Sequence, residues 1–386
     1  MKNYILMHKN KECGTLSLDD VTGKFDRYKD NGAGLSPFLG AATRENMKIW
    51  WESRAIPLSR DMIKKLINDL QVTTAEDYLA KNLALSITDT YWIKPIDMNI
   101  NYDNVNLFDN KAINKLPYHN ATSYDANASL GGQMEKYWDL VNDTPVLVKE
   151  AFKYFGQQSI NEVVATELHT RQNNNIAFVK YTAESLDNGS ILSYCNAFTN
   201  KDIEFVSAYE IVSSQKISND MNYYDAFIDI CSKNGMDKES VRDFMDYQAM
   251  TDFILSNSDE HLANFGVLRD ANTMQLIKPA PIFDTGNSMF YSDLKKVPFT
   301  RVELLERKIT SFYTSEEKML KNVKNKDLVK VDLLPLPNEI AEIYKEYGLR
   351  DDRADMIAKN YANKYIMFEE FQHGKRISLH NEKKKF

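Results

Sequence analysis

The alternation of apolar and polar positions predicts short β-strands in the first half of the chain. Several segments show two-residue alternation or a short apolar run bounded by turn-forming residues, which is typical of strands. They are residues 3–7, 12–17, 146–148, 176–181 and 190–198. A β-hairpin is also predicted where two apolar runs flank the turn-forming residues 269–273.

Apolar residues at a spacing of three to four predict helices between and after these strands. One helix is predicted from Ser59, and a second from the capping-box sequence at residues 73–76 to Leu85. A third covers residues 159–169, and helical spacing dominates from about residue 201 onward. A loop and the hairpin interrupt this helix-rich part.

The order of these elements predicts an α+β fold. A β-rich portion followed by a helix-rich portion indicates two lobes with a cleft between them. Residues 100–127 are rich in Asn and Asp, which favours turns and makes this stretch the best linker candidate. We expect an N-terminal accessory α/β subdomain at residues 1–118, a small β-rich lobe at residues 119–198 and a helical lobe at residues 199–386.

Composition narrows the function classes. The 386 residues include 48 Lys and Arg against 55 Asp and Glu, a net charge of −7, which argues against nucleic-acid binding as the main activity. Cys13, Cys195 and Cys231 lie far apart, so neither a disulfide framework nor a cysteine-rich zinc site is expected. With no signal-peptide core and no apolar run of about 18 residues, we expect a cytoplasmic protein that does not contact a membrane.

Acidic and amide residues in the loop section indicate phosphoryl transfer. A mostly apolar helix at residues 241–255 leads into a polar loop with Asp259 and, five residues later, Asn264. An apolar run then ends at Asp284, with Gly286 two positions further on. A carboxylate that takes the acceptor proton, followed by an Asn and an Asp that hold Mg²⁺, is the set of groups that a kinase requires.

Each of these residues also has a structural interpretation. Asp259 and Asp284 could form turns or cap helices, and Asn264 could be a solvated loop amide. His261 could act as a base or a metal ligand, but no second His or Cys stands at ligand spacing nearby, so an orienting role is favoured. The ordered combination of motifs favours the kinase interpretation.

A kinase also requires a cation on the nucleotide phosphates and a carboxylate that fixes this cation. Lys149 ends the predicted strand 146–148, and Glu162 lies in the helix that follows. Glu167 competes with Glu162 for that role. We therefore expect Lys149 to contact the α- and β-phosphates.

Two further segments are candidates for nucleotide contacts. Ser129, Gly131 and Gly132 belong to a small glycine loop whose backbone amides could approach phosphate. Cys195 and Phe198 lie at the junction of the two predicted lobes, where a hinge would meet adenine. Ordinary core packing is an equal alternative for these residues.

These motifs together resemble the HipA family of bacterial serine/threonine kinases, known from toxin–antitoxin modules. The likeness covers about residues 125–295 and rests on SLGGQMEK, the Lys149 strand, NEVVATEL, SNSDEHLANF and PIFDTGNS. It implies that Asp259, His261 and Asn264 form the catalytic D-x-H-x-x-N loop. It also implies that Asn264 and Asp284 bind the metal and that Lys149 binds ATP.

The resemblance implies a bilobal protein-kinase-like fold that uses ATP and Mg²⁺ to phosphorylate a protein hydroxyl. Ser129 falls on a serine that is an inhibitory autophosphorylation site in the family. DNA binding in such modules belongs to a separate antitoxin, so an antitoxin-type protein partner is expected and direct nucleic-acid binding is not.

Two other functions remain open at this stage. Phosphoinositide kinases also use an Asp-x-His-x-x-Asn loop followed by D-x-G, but residues 287–300 offer only Lys295 and Lys296 as a basic surface for lipid. A kinase fold that binds a partner without turnover is the second alternative. The presence of all expected metal and acid–base groups disfavours it.

Overall fold

The computed structural model describes residues 1–61, 63–64, 72–109, 124–132, 134–173, 175–293, 295–311 and 313–384. The chain forms two compact units, each built from several stretches of sequence. Unit 1 comprises Met1–Lys149, Asn196–Ile217 and Val267–Ile277. Unit 2 comprises Glu150–Cys195, Ser218–Gly266 and Lys278–Phe386.

The described strands form short sheets, and the pairs β1–β2, β1–β4 and β2–β3 are antiparallel. The first sheet has the order β3-β2-β1-β4, and β11, β10 and β9 form a three-stranded sheet in that order. β5 and β6 are adjacent, and β7 pairs with β8 in antiparallel fashion. The strands are β1 Lys2–His8, β2 Lys11–Leu18, β3 Phe25–Asp30, β4 Tyr91–Pro95, β5 Glu135–Val141, β6 Thr144–Ala151, β7 Thr182–Ser185, β8 Ile191–Asn196, β9 Ile203–Ser207, β10 Gly266–Asp270 and β11 Leu276–Pro279.

Helices predominate in the later part of the chain. The longest is a 22-residue helix near the C-terminus. The helices are α1 Arg44–Arg54, α2 Ala75–Lys81, α3 Tyr102–Val105, α4 Gln157–Gln172, α5 Ala208–Ser213, α6 Tyr223–Lys233, α7 Lys238–Leu255, α8 Arg301–Glu306, α9 Glu316–Leu320, α10 Pro337–Glu346, α11 Asp351–Gln372 and α12 Leu379–Lys383. Among the described helices, none combines the length and apolarity needed to cross a lipid bilayer.

The predicted α+β class is confirmed, and two element predictions are corrected. Residues 176–181 do not form a strand; Phe178 makes one isolated bridge with Ile282. The predicted helix to Leu85 ends at Lys81, because Leu83 and Ala84 adopt left-handed backbone conformations. The helix predicted from Ser59 falls mostly outside the described residues.

The cap of α2 also differs from the prediction. Thr74, not Thr73, is the N-cap, and its hydroxyl accepts from the backbone N–H of Asp77. The Asp77 carboxylate in turn accepts from the backbone N–H of Thr73 at 2.9 Å. The N-cap is therefore shifted by one residue along the chain, and the Asp77 side chain binds the residue before the N-cap, so the predicted capping box does not form.

A buried ionic cluster stabilises the core of unit 1. The Glu204 carboxylate on β9 accepts hydrogen bonds from Arg269 Nε on β10 at 2.7 Å and from the backbone N–H of Thr90 at 3.2 Å. His8 Nε2, at the end of β1, lies 3.2 Å from the same carboxylate. Burial alone would raise the pKa of Glu204, but the charge of Arg269 and the bonds from His8 and Arg269 outweigh burial and lower it. The cluster joins three strands that lie far apart in sequence.

Candidate active site

A buried helix in unit 2 carries the loop that holds Asp259 and Asn264. Every residue from Phe244 to Leu255 of α7 is buried, and the helix ends where Ser256 adopts a left-handed conformation with φ of 51°. The backbone N–H of the next residue donates to the carbonyl of Asp252 at 2.9 Å, which closes the helix. The polar loop therefore begins at a fixed point.

Three asparagines hold Asp259 in place. Asn257 Oδ1 accepts from the backbone N–H of Asp259 at 3.2 Å, and Asn264 Nδ2 donates to its backbone carbonyl at 2.8 Å. Asn287 Nδ2 donates to the carboxylate oxygen Oδ2 at 2.6 Å. The backbone of Asp259 and one carboxylate oxygen are thus fixed by separate amides. The Asp259 carboxylate is half-buried. Its oxygen Oδ2 accepts the bond from Asn287, and its other oxygen is Oδ1.

His261 supports the same loop through its backbone. Its N–H donates to the carbonyl of Asp259 at 2.9 Å, and its own carbonyl accepts from the N–H of Asn264 at 2.8 Å. The ring nitrogen Nδ1 accepts from the N–H of Ala263 at 3.3 Å. The role of the His261 ring stays a prediction.

Two buried carboxyl groups, Asp252 on α7 and Glu260 in the loop itself, share amide donors. Asn257 Nδ2 donates to Asp252 Oδ1 at 3.0 Å and to Glu260 Oε2 at 2.9 Å, and Gln248 Nε2 donates to Glu260 Oε1 at 2.6 Å. Burial raises the pKa of Asp252 to about 7. Burial, followed by the charges of Asp252 and Asp284, raises the pKa of Glu260 well above its usual range. Glu260 therefore lies within electrostatic reach of the predicted metal ligand Asp284.

The D-x-G segment follows a short extended stretch of unit 2. Ile282 donates its N–H to the carbonyl of Ala177 at 2.9 Å, and its carbonyl accepts from Val179 at 2.8 Å. Asp284 then adopts a left-handed conformation with φ of 61°, which is uncommon for a residue with a side chain. Its N–H donates to the hydroxyl of Tyr181 at 3.4 Å. The chain therefore turns sharply at the predicted metal ligand.

Gly286 lies close to α4. A Cβ at this position would lie 3.2 Å from the backbone carbonyl of Gln158 and 3.4 Å from Glu162 Oε1. Both neighbours belong to the first turns of the helix. The glycine of D-x-G therefore lets this loop lie directly against α4.

The polar side chains of the N-terminal half of α4 hold the loop by its backbone. Glu162 Oε2 accepts from the N–H of Thr285 at 3.0 Å. Asn161 Nδ2 donates to the carbonyls of Gly286 at 2.8 Å and Ser288 at 2.7 Å. Gln157 Nε2 donates to the carbonyl of Met289 at 2.8 Å. Glu162 thus has a partner in the D-x-G loop in addition to its predicted role beside Lys149.

Two C-terminal helices orient these amides from behind. Tyr344 on α10 donates its hydroxyl to Asn161 Oδ1 at 2.6 Å. Arg353 on α11 donates from Nη2 to Gln157 Oε1 at 2.8 Å and to the carbonyl of Phe290 at 2.8 Å. Because their oxygens are bound, the amide nitrogens of Asn161 and Gln157 face the loop.

The side chains present fit a magnesium ion bound with a nucleotide. Asn264 Nδ2 is bonded to the Asp259 carbonyl, which turns Oδ1 to the opposite side of the amide. The Asn264 amide oxygen and the Asp284 carboxylate are both hard oxygen donors, the kind that Mg²⁺ prefers. Within the described part of the chain, no group of three or more His, Cys, Asp or Glu residues could hold a metal by itself. Mg²⁺ that binds together with a nucleotide usually takes only one or two ligands from the protein and the others from phosphate and water.

The predicted phosphate-binding residues lie in unit 1. Lys149 is on β6 and is 2% exposed. Ser129 ends a 3₁₀ turn, Ala126–Ser129, and its hydroxyl donates to the carbonyl of Ala126 at 3.3 Å. Gly131 admits no side chain, because a Cβ would lie 2.7 Å from the carbonyl of Ser53. The glycine loop is therefore packed against the end of α1.

Arg60 holds this loop from the N-terminal part of unit 1. The guanidinium is 1% exposed, and it donates from Nε to the carbonyl of Gly132 at 2.8 Å and from Nη2 to that of Gly131 at 2.5 Å. Gly132 has φ of 84°, a conformation that favours glycine. Fixed carbonyls also fix the orientation of the adjoining peptide groups.

The two residues predicted to contact adenine are Cys195, which is buried, and Phe198, which packs against another aromatic ring. Cys195 is 7% exposed near the end of β8 in unit 2. Phe198, in unit 1, packs edge-on against Phe205 with ring centroids 5.8 Å apart. Their roles toward a nucleotide stay predictions.

Sequence reasoning missed Asn287, Asn161 and Arg60. The sequence carried a signal for Asn161. Four of the first six residues of α4 have amide or acidic side chains, although the same end of the helix also carries buried apolar residues. Arg60 lies more than 70 residues before the carbonyls that it binds. Such long-range pairings leave no local pattern.

No protein-family model matches the chain, and no curated protein sequence matches it. Solved structures do match. One is the proinflammatory kinase CtkA of Helicobacter pylori, at 15% identity and a TM-score of 0.45, covering 63% of this chain and 93% of CtkA. Another is a chain from the complex of HipA, HipB and operator DNA of the Shewanella oneidensis MR-1 toxin–antitoxin system. It has 11% identity and a TM-score of 0.48, and the match covers 95% of this chain and 90% of that one.

Proposed function

We propose that the chain is a kinase that transfers the γ-phosphoryl group of Mg·ATP to a serine or threonine hydroxyl of a protein. The observation that supports this most is the bond of Asn287 to the Asp259 carboxylate at 2.6 Å. Asn287 lies three residues after Asp284, so the bond brings the predicted base and the D-x-G segment together. Their order along the chain is that of protein kinases.

Each residue has a defined task in this proposal. Asp259 orients the acceptor hydroxyl through Oδ1 and accepts its proton, while His261 holds the loop backbone. Asn264 Oδ1 and the Asp284 carboxylate are the magnesium ligands. Mg·ATP supplies the phosphoryl group and the positive charge that neutralises the phosphates.

The nucleotide contacts are proposed on the sequence motifs and on burial. Lys149 clamps the α- and β-phosphates in this proposal, and the role of Glu162 toward this lysine rests on the sequence motif alone. Backbone amides of the Gly131-Gly132 turn approach the phosphates, and Cys195 and Phe198 meet the adenine.

Self-regulation and a partner follow from the resemblance alone. We propose that Ser129 is an autophosphorylation site and that the chain binds an antitoxin-type protein. Intact-mass and peptide mass spectrometry after expression test the first point. A phosphate on Ser129 in the wild type but not in an inactive variant would support it, and its absence from active protein would contradict it.

The central experiment compares the wild type with Asp259→Asn. Purified full-length chain is incubated with Mg²⁺, γ-labelled ATP and a degenerate library of Ser/Thr peptides. The variant should lose roughly 100-fold or more of the transfer rate, because it lacks the proton acceptor. It should retain the thermal shift produced by ATP and Mg²⁺, because the nucleotide ligands are unchanged.

Asp187→Asn is the matched control, since Asp187 lies in the exposed turn between β7 and β8. This variant should transfer phosphate like the wild type. Equal transfer by Asp259→Asn would remove Asp259 from the mechanism. A wild-type chain that shows no transfer and no ATP-dependent thermal shift would contradict the kinase proposal, and labelling of phosphoinositides in place of peptides would favour lipid-kinase activity.

A further inference from the structure

We propose that Asn287 is a positioning residue that sets the orientation of the Asp259 carboxylate, and that Gln158 acts on Asp259 through Asn287. This inference rests on the proposed function, because it assigns a task to residues that surround the proposed base. It adds a connection between α4 and the catalytic loop that no motif in the sequence indicates.

The first step is the direct contact. Asn287 Nδ2 donates to Asp259 Oδ2 at 2.6 Å, so one carboxylate oxygen is engaged. A carboxylate on a single bond can rotate about its Cβ–Cγ axis, and a bonded oxygen restricts this rotation. The other oxygen, Oδ1, then points in one direction. A general base must have such a fixed direction in order to meet the acceptor hydroxyl.

The second step is the orientation of the Asn287 amide itself. Gln158 Nε2 on α4 donates to Asn287 Oδ1 at 2.6 Å. A side-chain amide has its oxygen and nitrogen on opposite sides, so a donor on Oδ1 directs Nδ2 toward Asp259. Gln158 therefore selects the orientation in which Asn287 is a donor to the carboxylate.

The third step is the backbone around this contact. Ser258 donates to the backbone carbonyl of Asn287 twice, from N–H at 3.2 Å and from Oγ at 2.9 Å. Together with the side-chain bond, three hydrogen bonds join residues 258–259 to residue 287. Asn161 Nδ2 also donates to the carbonyls of Gly286 and Ser288, the two residues that flank Asn287 in sequence. Asn287 thus has a fixed backbone as well as a fixed amide.

The consequence is a mechanical link between the proposed base and the proposed metal ligand. Asp284 and Asn287 belong to one short turn docked on α4, and Asn287 holds Asp259. A displacement of this turn from α4 would therefore disturb both groups together. Position 287 requires a donor, which an isosteric aspartate cannot supply to another carboxylate.

The test uses Asn287→Ala, Asn287→Asp, Gln158→Ala and the double variant Gln158→Ala/Asn287→Ala in the full chain. Transfer from γ-labelled Mg·ATP to the Ser/Thr peptide library is measured at pH 7.5. We expect Asn287→Ala to lower kcat roughly tenfold to a hundredfold, since hydrogen bonds to charged groups have this weight. The KM for ATP should change by less than about twofold, because Asn287 has no nucleotide contact in this proposal.

The aspartate variant separates orientation from packing. Asn287→Asp keeps the shape of the side chain, so a role in packing alone predicts higher kcat for it than for Asn287→Ala. The donor role predicts kcat at or below that of Asn287→Ala, because two carboxylates then face each other. Asn338→Asp, at an exposed position of α10, is the matched control and should behave like the wild type.

The double variant tests the route from Gln158. If Gln158 acts through Asn287, removing it should lower kcat severalfold in the wild type and have no further effect in Asn287→Ala. Multiplicative losses would overturn this route, and a near-wild-type kcat for Asn287→Asp would overturn the role of Asn287. If Asn287→Ala fails to give an ATP-dependent thermal shift, Gln158→Ala carries the test, with unchanged kcat as the contrary result. A wild type without transfer would instead contradict the proposed function.

Discussion

Glu204 in unit 1 and the Asp252–Glu260 pair in unit 2 are all buried carboxyl groups, but their surroundings differ. Glu204 is bonded to the Arg269 guanidinium and to His8. The donors to Asp252 and Glu260 are the side-chain amides of Asn257 and Gln248. A cation at hydrogen-bond distance keeps a buried carboxylate ionised, whereas amides leave burial as the larger effect.

The pKa values follow this difference. The pKa of Glu204 is lowered, while burial raises the pKa of Asp252 to about 7 and also raises the pKa of Glu260. The ionic cluster joins strands and has a structural role. The Asp252–Glu260 pair joins α7 to the loop of Asp259, and perturbed carboxyl groups of this kind are concentrated at functional sites. The cluster around Glu204 therefore stabilises the fold, whereas the Asp252–Glu260 pair belongs to the surroundings of the candidate active site.

Removal of the cation from the ionic cluster should have the largest effect on stability. Arg269→Met leaves the Glu204 carboxylate buried without the guanidinium that it binds, and we expect a loss of about 3–5 kcal/mol in the free energy of unfolding. Chemical denaturation at pH 7 measures it. Arg350→Met, which breaks the exposed pair with Asp352, is the control and should leave the denaturation midpoint unchanged. A loss below about 1 kcal/mol for Arg269→Met would contradict the claim that this ionic cluster stabilises the fold.

Neutralisation of Asp252 should have the next largest effect, with the opposite sign. An unfolded aspartate ionises near its usual pKa of 3.8, and the folded one ionises at about 7, so the wild type loses stability as pH rises between these values. Asp252→Asn removes this loss and keeps an acceptor for Asn257. We expect the variant to exceed the wild type by roughly 2–4 kcal/mol at pH 8 and to match it near pH 4, as measured by chemical denaturation.

Glu204→Gln is the contrasting variant for this pH series. Because the pKa of Glu204 is lowered on folding, its ionised form stabilises the protein above the unfolded pKa, and this contribution is lost as pH falls. The variant should therefore be less stable than the wild type at pH 8. Parallel pH profiles for Asp252→Asn and Glu204→Gln would contradict the difference between the two clusters.

A single hydroxyl behind the D-x-G loop should have the smallest effect. Tyr344→Phe removes the donor to Asn161 Oδ1, and we expect a loss of about 1 kcal/mol in the free energy of unfolding. Tyr223→Phe, at a half-exposed position, is the control and should have no measurable effect. A loss above about 3 kcal/mol for Tyr344→Phe would mean that the hydroxyl supports more than the Asn161 amide.

The local motifs of the site could be read from the sequence because they depend on short spacing. Asp259 and Asn264 share one loop after a helix whose apolar face is visible, and D-x-G is contiguous. The strands at residues 3–7 and 12–17 also have their own periodicity, and both are confirmed. Helix termination was harder, since Leu83 and Ala84 leave the helix although both suit one.

The groups that orient the site could not be read from the sequence. Asn287 and Asp259 are 28 residues apart, and Arg353 and Gln157 are 196 apart. Polar side chains at such separations have no periodic signature, and only the tertiary fold pairs them. The Asp252–Glu260 pair is hidden for the same reason, because a buried acid and an exposed one look alike in sequence.

The most direct test of the central claim is a titration of Mn²⁺ into the full-length chain with ATP, followed by electron paramagnetic resonance of the free ion. Mn²⁺ replaces Mg²⁺ and accepts the same oxygen ligands. We predict that the wild type binds Mn·ATP, that Asp284→Asn weakens binding about tenfold or more, and that Asp259→Asn and the exposed control Asp332→Asn bind like the wild type. Undiminished Mn·ATP binding by Asp284→Asn would contradict the assignment of a metal–nucleotide site to this loop.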